Sequence, residues 1–200
     1  MKAAVILNCG RKITRAVTAD FVICADGGVN CSPVRPDYFV GDFDSAASAP
    51  DGVPVLRHNS HKNFTDGESA THFAKEKGAD EIVYYGVTGG RYDHTLGNLA
   101  VMALADKLGM RARAEEEDSD IFCVSARLNP DFSLDVAVGD TLSVIPHGGN
   151  ATVTDSDGLE YPLHNLTLTP CDTRGVSNRA TSPHIKLRVT DGLVFVIRNF

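Results

Sequence analysis

The stretch whose reading decides the fold is Ile82–Gly109, IVYYGVTGGRYDHTLGNLAVMALADKLG. A β-rich run, Ile82 to Gly86, enters a turn at Gly89-Gly90-Arg91-Tyr92-Asp93-His94. A helix is predicted after Asp93, with Leu96, Leu99, Ala100, Ala103, Leu104 and Leu108 on one stripe before Gly109. Upstream, short β-rich runs at Ala4–Leu7, Phe21–Ala25, Tyr38–Val40 and Val53–Arg57 are each bounded by Gly, Asp or Asn. A second helix is predicted from Thr65-Asp66-Gly67-Glu68, which fits a capping box, to Lys77 before Gly78. Strands alternating with helices predict an open, mostly parallel α/β sheet over residues 1–112.

Beyond residue 112 the helical period disappears. Alternating stretches at Leu134–Val138, Thr141–Ile145, Ala151–Thr154, Leu163–Leu168, Ile185–Val189 and Leu193–Ile197 are separated by Gly, Pro, Asp and Asn. Such spacing predicts a C-terminal antiparallel β-sandwich over residues 113–200. The acidic run Glu115–Asp118 reads as a domain boundary or as a solvated turn.

The chain has 200 residues, 42% hydrophobic and 22% charged, which excludes a disordered or fibrous protein. Its net charge of −7 argues against nucleic-acid and anionic-membrane partners. No apolar run approaches the roughly 20 residues of a membrane span, and Ala3–Leu7 is too short for a signal sequence. The five cysteines (9, 24, 31, 123 and 171) form no C-x-x-C pair. Reduced thiols and a cytoplasmic location are the expectation.

Ligands of open α/β sheets bind beyond the carboxyl ends of the strands, and aspartates crowd those ends here. Asp26-Gly27-Gly28 follows the second run, Gly41-Asp42-Phe43-Asp44-Ser45 the third, Thr65-Asp66 opens a helix, and Asp93-His94 follows the fifth. Each has a structural alternative: a plain turn for Asp26, a cap for Asp93, a dipole-favoured first turn for Asp66. Folding requires only one or two of them, whereas five gathered carboxylates require a cation. Hard oxygen donors favour Mg²⁺ shared with substrate phosphates. Arg91 beside Gly89-Gly90 suits bidentate phosphate contact at a helix N-terminus.

Other signatures are missing: no G-x-x-x-x-G-K-[ST], and no G-x-G-x-x-G after the first strand. Asp155-Ser156-Asp157-Gly158 lacks the rest of a calcium loop. His58 and His61 sit in a polar loop without a partner motif.

Taken in order, ADGG at 25–28, GDFDS at 41–45, TDGES at 65–69 and GGRYDH at 89–94 resemble the thiamine pyrophosphokinase (thiamine diphosphokinase) family. Gly158-Leu159-Glu160-Tyr161-Pro162-Leu163 and Gly175-Val176-Ser177-Asn178 extend the resemblance almost to the end of the chain. The resemblance implies a Mg²⁺-dependent enzyme that moves the β,γ-pyrophosphoryl group of ATP to the thiamine hydroxyl and releases AMP. It further implies a catalytic α/β domain, a thiamine-binding β-sandwich, and a homodimer with thiamine near the subunit contact. Carried over by motif, Asp42, Asp44 and Asp66 hold the metal and, with Arg91, form the catalytic set. Asp26, Gly27, Thr65, Arg91, Asp93 and His94 line the nucleotide and phosphates, and Ser177, Asn178 and Tyr161 meet thiamine. One departure is Asn63, where the family carries an acid two residues before Thr65-Asp66; a supporting role behind the ligands is expected there. Two rivals share parts of the pattern: a pyrophosphokinase of similar fold acting on a hydroxymethylpterin, and a non-catalytic thiamine or thiamine diphosphate binding protein.

Overall fold

The computed structural model describes residues 1–43, 45–46, 48–57 and 63–200. The chain divides into two compact units, Met1–Glu117 and Asp118–Phe200.

The first unit contains β1 (Lys2–Ile6), β2 (Phe21–Ala25), α1 (Gly28–Cys31), β3 (Tyr38–Gly41), β4 (Val55–Arg57), α2 (Asp66–Glu76), β5 (Glu81–Tyr85), α3 (Tyr92–Lys107) and β6 (Arg111–Glu115). Its strands lie in the order β4-β3-β2-β1-β5-β6, and every pairing is parallel. The sheet is buried on both faces, so β2 reads as an unbroken apolar run, FVICA, rather than an alternation. One face packs Ile6, Cys24, Phe39 and Tyr85 against Ile13, Cys31, Ala46 and Val53. The α2 helix carries buried Ala70 and Ala74, and α3 carries buried Val101, Met102 and Ala105. Contacts join α2 to α3 and to β1, β2 and β3, while α3 also contacts β6.

The Thr65 half of the expected capping box forms: its hydroxyl accepts the Glu68 N–H at 3.2 Å. The stripe expected on α3 does not survive intact. Leu96 is 68% exposed and Ala100 is exposed, whereas Val101, Met102 and Ala105 are covered. Of the expected stripe, Ala103 is buried and Leu99, Leu104 and Leu108 are half-buried. Periodicity thus located the helix and part of its covered face, whose fully buried residues are confined to the second half. The helix also begins at Tyr92, one position before Asp93, which therefore lies in its first turn.

Residues 111–115 form β6, pairing in parallel with β5, and carry the first unit past Ala112 to Glu117. The acidic run is no solvated turn. Glu116 is 3% exposed, its carboxylate bonded to Val87 and Thr88, while Glu117 accepts from the N–H and hydroxyl of Thr14.

The second unit consists of β7 (Ser119–Ser125), β8 (Asp131–Asp135), β9 (Thr141–Pro146), β10 (Ala151–Asp157), β11 (Leu166–Leu168), β12 (Asn178–Arg179), β13 (His184–Asp191) and β14 (Leu193–Asn199). These form two antiparallel sheets, β12-β9-β14-β7 and β11-β10-β13-β8. Val124, Val144, Val194 and Val196 of one sheet and Val153, Ile185, Leu187 and Val189 of the other share one core, which makes the expected sandwich. No helix among the described residues is long and apolar enough to cross a membrane.

Candidate functional site

In the first unit, β1 lies between β2 and β5, so the chain runs outward in opposite senses from the two sides of β1. Ligands of parallel sheets bind beyond the strand ends at such a reversal. A pocket of about 700 Å³ opens there, bordered by Asn8 after β1, Asp26 after β2, Asp42 after β3, Asp66 on α2, and Gly90 and Arg91 after β5.

The aspartates are brought together by backbone geometry. Asp26 is 4% exposed and adopts φ +40°, a left-handed conformation that Asp tolerates better than most residues. Its carboxylate accepts the N–H groups of Phe43 (3.1 Å) and Ser45 (2.9 Å), which folds the loop after β3 around it. Phe43 anchors that loop by stacking on Phe39 at 4.8 Å, beneath the Arg57 guanidinium at 4.9 Å. Gly41 is required for this approach, since a Cβ there would lie 2.8 Å from the Asp26 Cβ. Carboxylate oxygens of Asp26, Asp42 and Asp66 consequently lie within 4.8 Å of one another.

Three hard oxygen donors at this spacing fit a divalent cation of the Mg²⁺ class, which keeps coordination positions open for phosphate and water. Asp26 thus joins the cluster in which the sequence placed Asp42, Asp44 and Asp66. Asp44, with His58 and His61, lies outside the described residues.

Gly27, Thr65, Asp93 and His94 also border the pocket. Arg91 forms a two-pronged ion pair with Asp93, Nε to Oδ1 at 3.1 Å and Nη2 to Oδ2 at 2.5 Å. Bonding to the Arg91 guanidinium holds the Asp93 carboxyl below the usual carboxylate range, and both side chains are exposed at the pocket rim. Among the pocket residues that escaped the sequence reading are Asn8 and Asn98. Asn8 stands at the end of the central strand, where the strand-end rule alone would have found it. Asn98, on α3, donates to the Val87 carbonyl at 3.0 Å, and nothing in its neighbourhood of the sequence signals that.

In the second unit, the Gly158–Leu163 stretch and the Gly175–Asn178 turn meet. Leu159 bridges Ala180, and Glu160 N–H donates to the Arg179 carbonyl at 2.9 Å. Ser177 adopts φ +59° and donates its N–H to the Ser143 hydroxyl at 3.0 Å. Asn178 is buried, its Oδ1 accepting from the N–H groups of Tyr161 (3.0 Å) and Arg179 (2.8 Å), while its Nδ2 donates to the Tyr161 carbonyl at 2.7 Å. Tyr161 is 63% exposed. The Asn178 amide thus grips the Tyr161 backbone, and Tyr161 and Ser177 are the members of the set that face outward.

A strand-end carboxylate cluster on a parallel sheet that carries neither a P-loop nor a dinucleotide-binding glycine pattern is an arrangement suited to metal-assisted chemistry on phosphates. The description "Thiamin pyrophosphokinase, catalytic domain" matches residues 15–113, and "Thiamin pyrophosphokinase, vitamin B1 binding domain" matches residues 129–194. The chain belongs to the thiamin pyrophosphokinase family, enzymes whose reaction transfers the pyrophosphoryl group of ATP to thiamine. Thiamine pyrophosphokinase of Bacillus subtilis (strain 168) is 27% identical over 168 residues, 80% of this chain and 76% of that protein. Thiamin pyrophosphokinase 1 of Caenorhabditis elegans is 24% identical over 193 residues, 90% of this chain and 79% of that protein. Among solved structures, the Bacillus subtilis enzyme superposes with a TM-score of 0.81 at 22% identity, covering 100% of this chain and 99% of that one. The Candida albicans enzyme gives 0.80 at 19%, covering 100% and 90%.

Proposed function

We propose that the pocket beyond β1, β2 and β3 binds ATP together with Mg²⁺, and that this chain transfers the β,γ-pyrophosphoryl group to the hydroxyl of thiamine. The observation that carries the reading is the convergence of Asp26, Asp42 and Asp66 in one pocket that also contains Gly90 and Arg91. An acidic protein holds a polyphosphate only if its carboxylates are neutralised, and these three are arranged for that. When bound, Mg²⁺ supplies charge neutralisation for the polyphosphate.

Asp42 and Asp66, with Asp26 and Asp44, supply the oxygen donors. Arg91, oriented by Asp93, offsets negative charge on the phosphates, while Gly90, Thr65 and His94 border the nucleotide. Tyr161 and Ser177 meet thiamine, with Asn178 holding Tyr161 in place. In an in-line displacement the thiamine oxygen bonds to the β-phosphorus as the bond from that phosphorus to the oxygen of the α-phosphate breaks, releasing AMP. The hydroxyl proton passes to Asp66 or Asp42. Positioning and charge neutralisation account for most catalysis of this type, so a rigid strand-end site is sufficient apparatus.

A homodimer is part of the reading, and exposed Tyr92 and Leu96 on α3 provide an apolar surface for it. A cytoplasmic setting suits an ATP-consuming enzyme whose five cysteines are all free thiols.

The test is incubation of the purified protein with thiamine, ATP and Mg²⁺, followed by chromatography of both products. Thiamine diphosphate and AMP should appear one for one and vanish with EDTA. ADP with thiamine monophosphate would refute the pyrophosphoryl step. Thiamine binding without product would replace the enzyme by a binding protein. Asp44→Ala should abolish turnover in a folded protein.

A further inference from the structure

The buried acid Glu116 has no place in the transfer chemistry, yet its surroundings are built for a task. It directly follows β6, and β6 pairs in parallel with β5, so Glu116 leaves the sheet at the same edge as the pocket. Its Oε1 accepts the Val87 N–H at 2.7 Å, and its Oε2 accepts the Thr88 hydroxyl at 2.8 Å and the Thr88 N–H at 3.4 Å. Val87 and Thr88 begin the β5–α3 loop, which then delivers Gly90 and Arg91 to the pocket. From the other side, pocket residue Asn98 holds the Val87 carbonyl. Glu117, the next residue, takes the N–H of Thr14 at 2.8 Å, and Arg15 Nη1 reaches the Glu116 carbonyl at 2.9 Å. Both of these fix the β1–β2 loop, which brings Asn8 and Gly10 to the same pocket.

A loop carrying a phosphate-binding backbone and an arginine must be held before substrate arrives, because ordering it on binding subtracts from affinity. Burying a carboxylate is costly unless bonded groups compensate it. Burial accordingly pushes the Glu116 carboxyl up, and the Thr88 and Val87 bonds pull it back. An apolar residue would fill this position at lower cost if only packing mattered. Three bonds from one carboxylate into a single loop make it a clamp on that loop.

We infer that Glu116 is a positioning residue for the nucleotide: by gripping Val87 and Thr88 it presets the Gly89-Gly90-Arg91 turn for the ATP phosphates. The inference rests on the assignment of that pocket to ATP. Thiamine recognition, in the second unit, does not depend on the clamp.

The test uses the full-length chain and compares Glu116→Gln, Thr88→Val and Thr88→Ser with the wild type. The readouts are affinity for a fluorescent N-methylanthraniloyl ATP, separate KM values for ATP and thiamine, and the thermal midpoint. Glu116→Gln keeps the shape but exchanges an acceptor for a donor facing an N–H. It should weaken the ATP analogue and raise the KM for ATP about tenfold, leaving the KM for thiamine within about twofold. Thr88→Val, which removes one of the three bonds, should shift the same two quantities severalfold, and Thr88→Ser, which retains the hydroxyl, should recover most of the loss. If Glu116→Gln does not fold, the Thr88 pair decides by the same criteria. Unchanged ATP affinity in folded variants overturns the inference. So does a parallel loss for both substrates together with a lowered thermal midpoint, which is the signature of a merely structural acid. A wild type that binds the analogue but makes no thiamine diphosphate refutes the transferase reading, while the affinity comparison still decides the role of Glu116. A wild type that binds no analogue overturns the ATP assignment and this inference together.

Discussion

Replacing Asp26 by Asn is a sharp perturbation of the site because it changes charge without changing shape. Asn also accepts the left-handed φ of +40° that Asp26 occupies. Two effects oppose each other. The variant loses the charge-assisted acceptance of the Phe43 and Ser45 N–H groups and leaves one of them facing an amide N–H, a loss of about 1.5–3 kcal/mol. It also relieves the mutual repulsion of the three carboxylates. At the 4.8 Å that bounds their separation, each pair repels by about 1 kcal/mol in water-like surroundings and about 3.5 kcal/mol at the effective dielectric of a protein site. Asp26 belongs to two of the three pairs, so the relief of about 2–7 kcal/mol matches or exceeds the loss, and the balance without metal leaves the variant melting no more than about 4 °C below the wild type. Magnesium removes this balance. At a concentration about 100 times its dissociation constant, the wild type gains about 2.7 kcal/mol, which for a chain of this length is about 5–11 °C. Asp26→Asn should gain less than half of that, and its turnover at millimolar Mg²⁺ should fall at least about 100-fold, as expected when a charged ligand and a loop anchor are lost together. Differential scanning fluorimetry across a MgCl₂ titration from an EDTA baseline measures the first, and thiamine diphosphate formation the second. A variant that follows the wild-type magnesium curve would refute the reasoning, because Asp26 would then hold the loop and nothing else.

Asn63 is exposed and is not among the residues that border the pocket. Asn63→Asp should therefore leave the Mg²⁺ concentration for half-maximal activity within about twofold, and a large drop in that concentration would return the position to the metal. Asn178→Ala removes the three bonds that fix Tyr161 and Arg179. It should raise the KM for thiamine about tenfold or more while the KM for ATP stays put; equal shifts in both would separate Tyr161 from thiamine binding. Burial pushes the Cys24 thiol up to about 12, so about one part in ten thousand is thiolate at pH 8. Cys9, Cys31 and Cys123 are buried as well, and Cys171 is exposed. Native alkylation mapped by peptide mass should mark Cys171 alone, and modification of Cys24 at a comparable rate would contradict its placement.

How far the site was legible depends on the distance over which each residue acts. Asp26, Asp42 and Asp66 were legible because a parallel sheet sends every strand end to one edge, so residues remote in sequence converge without knowledge of side-chain packing. Thr65 was legible for a more local reason, since a capping box closes within four positions. The family resemblance marked Asn178 as a thiamine contact, and nothing in the sequence signalled that its amide also bonds the Tyr161 backbone. Of the two readings of the acidic run, the boundary agrees with the division after Glu117, whereas the solvated turn fails at Glu116, whose burial shows only when the loop between Tyr85 and Arg91 is laid against it.

The sequence by itself determined the change from alternating strands and helices to strands alone near residue 112, and the family, because periodicity, turn residues and linear motifs are properties of neighbours along the chain; β6 and β7, on either side of that change, were not read from it. Tertiary structure alone decided which α3 residues are covered, Val101 and Met102 rather than Leu96 and Ala100. It alone bonded the Asp26 carboxylate to the N–H groups of Phe43 and Ser45, and turned Glu116 inward onto Val87 and Thr88. The physical reason is common to these cases. Apolar spacing and charge describe what a side chain tolerates, but a buried carboxylate is stable only where particular N–H and O–H groups from distant segments arrive to meet it.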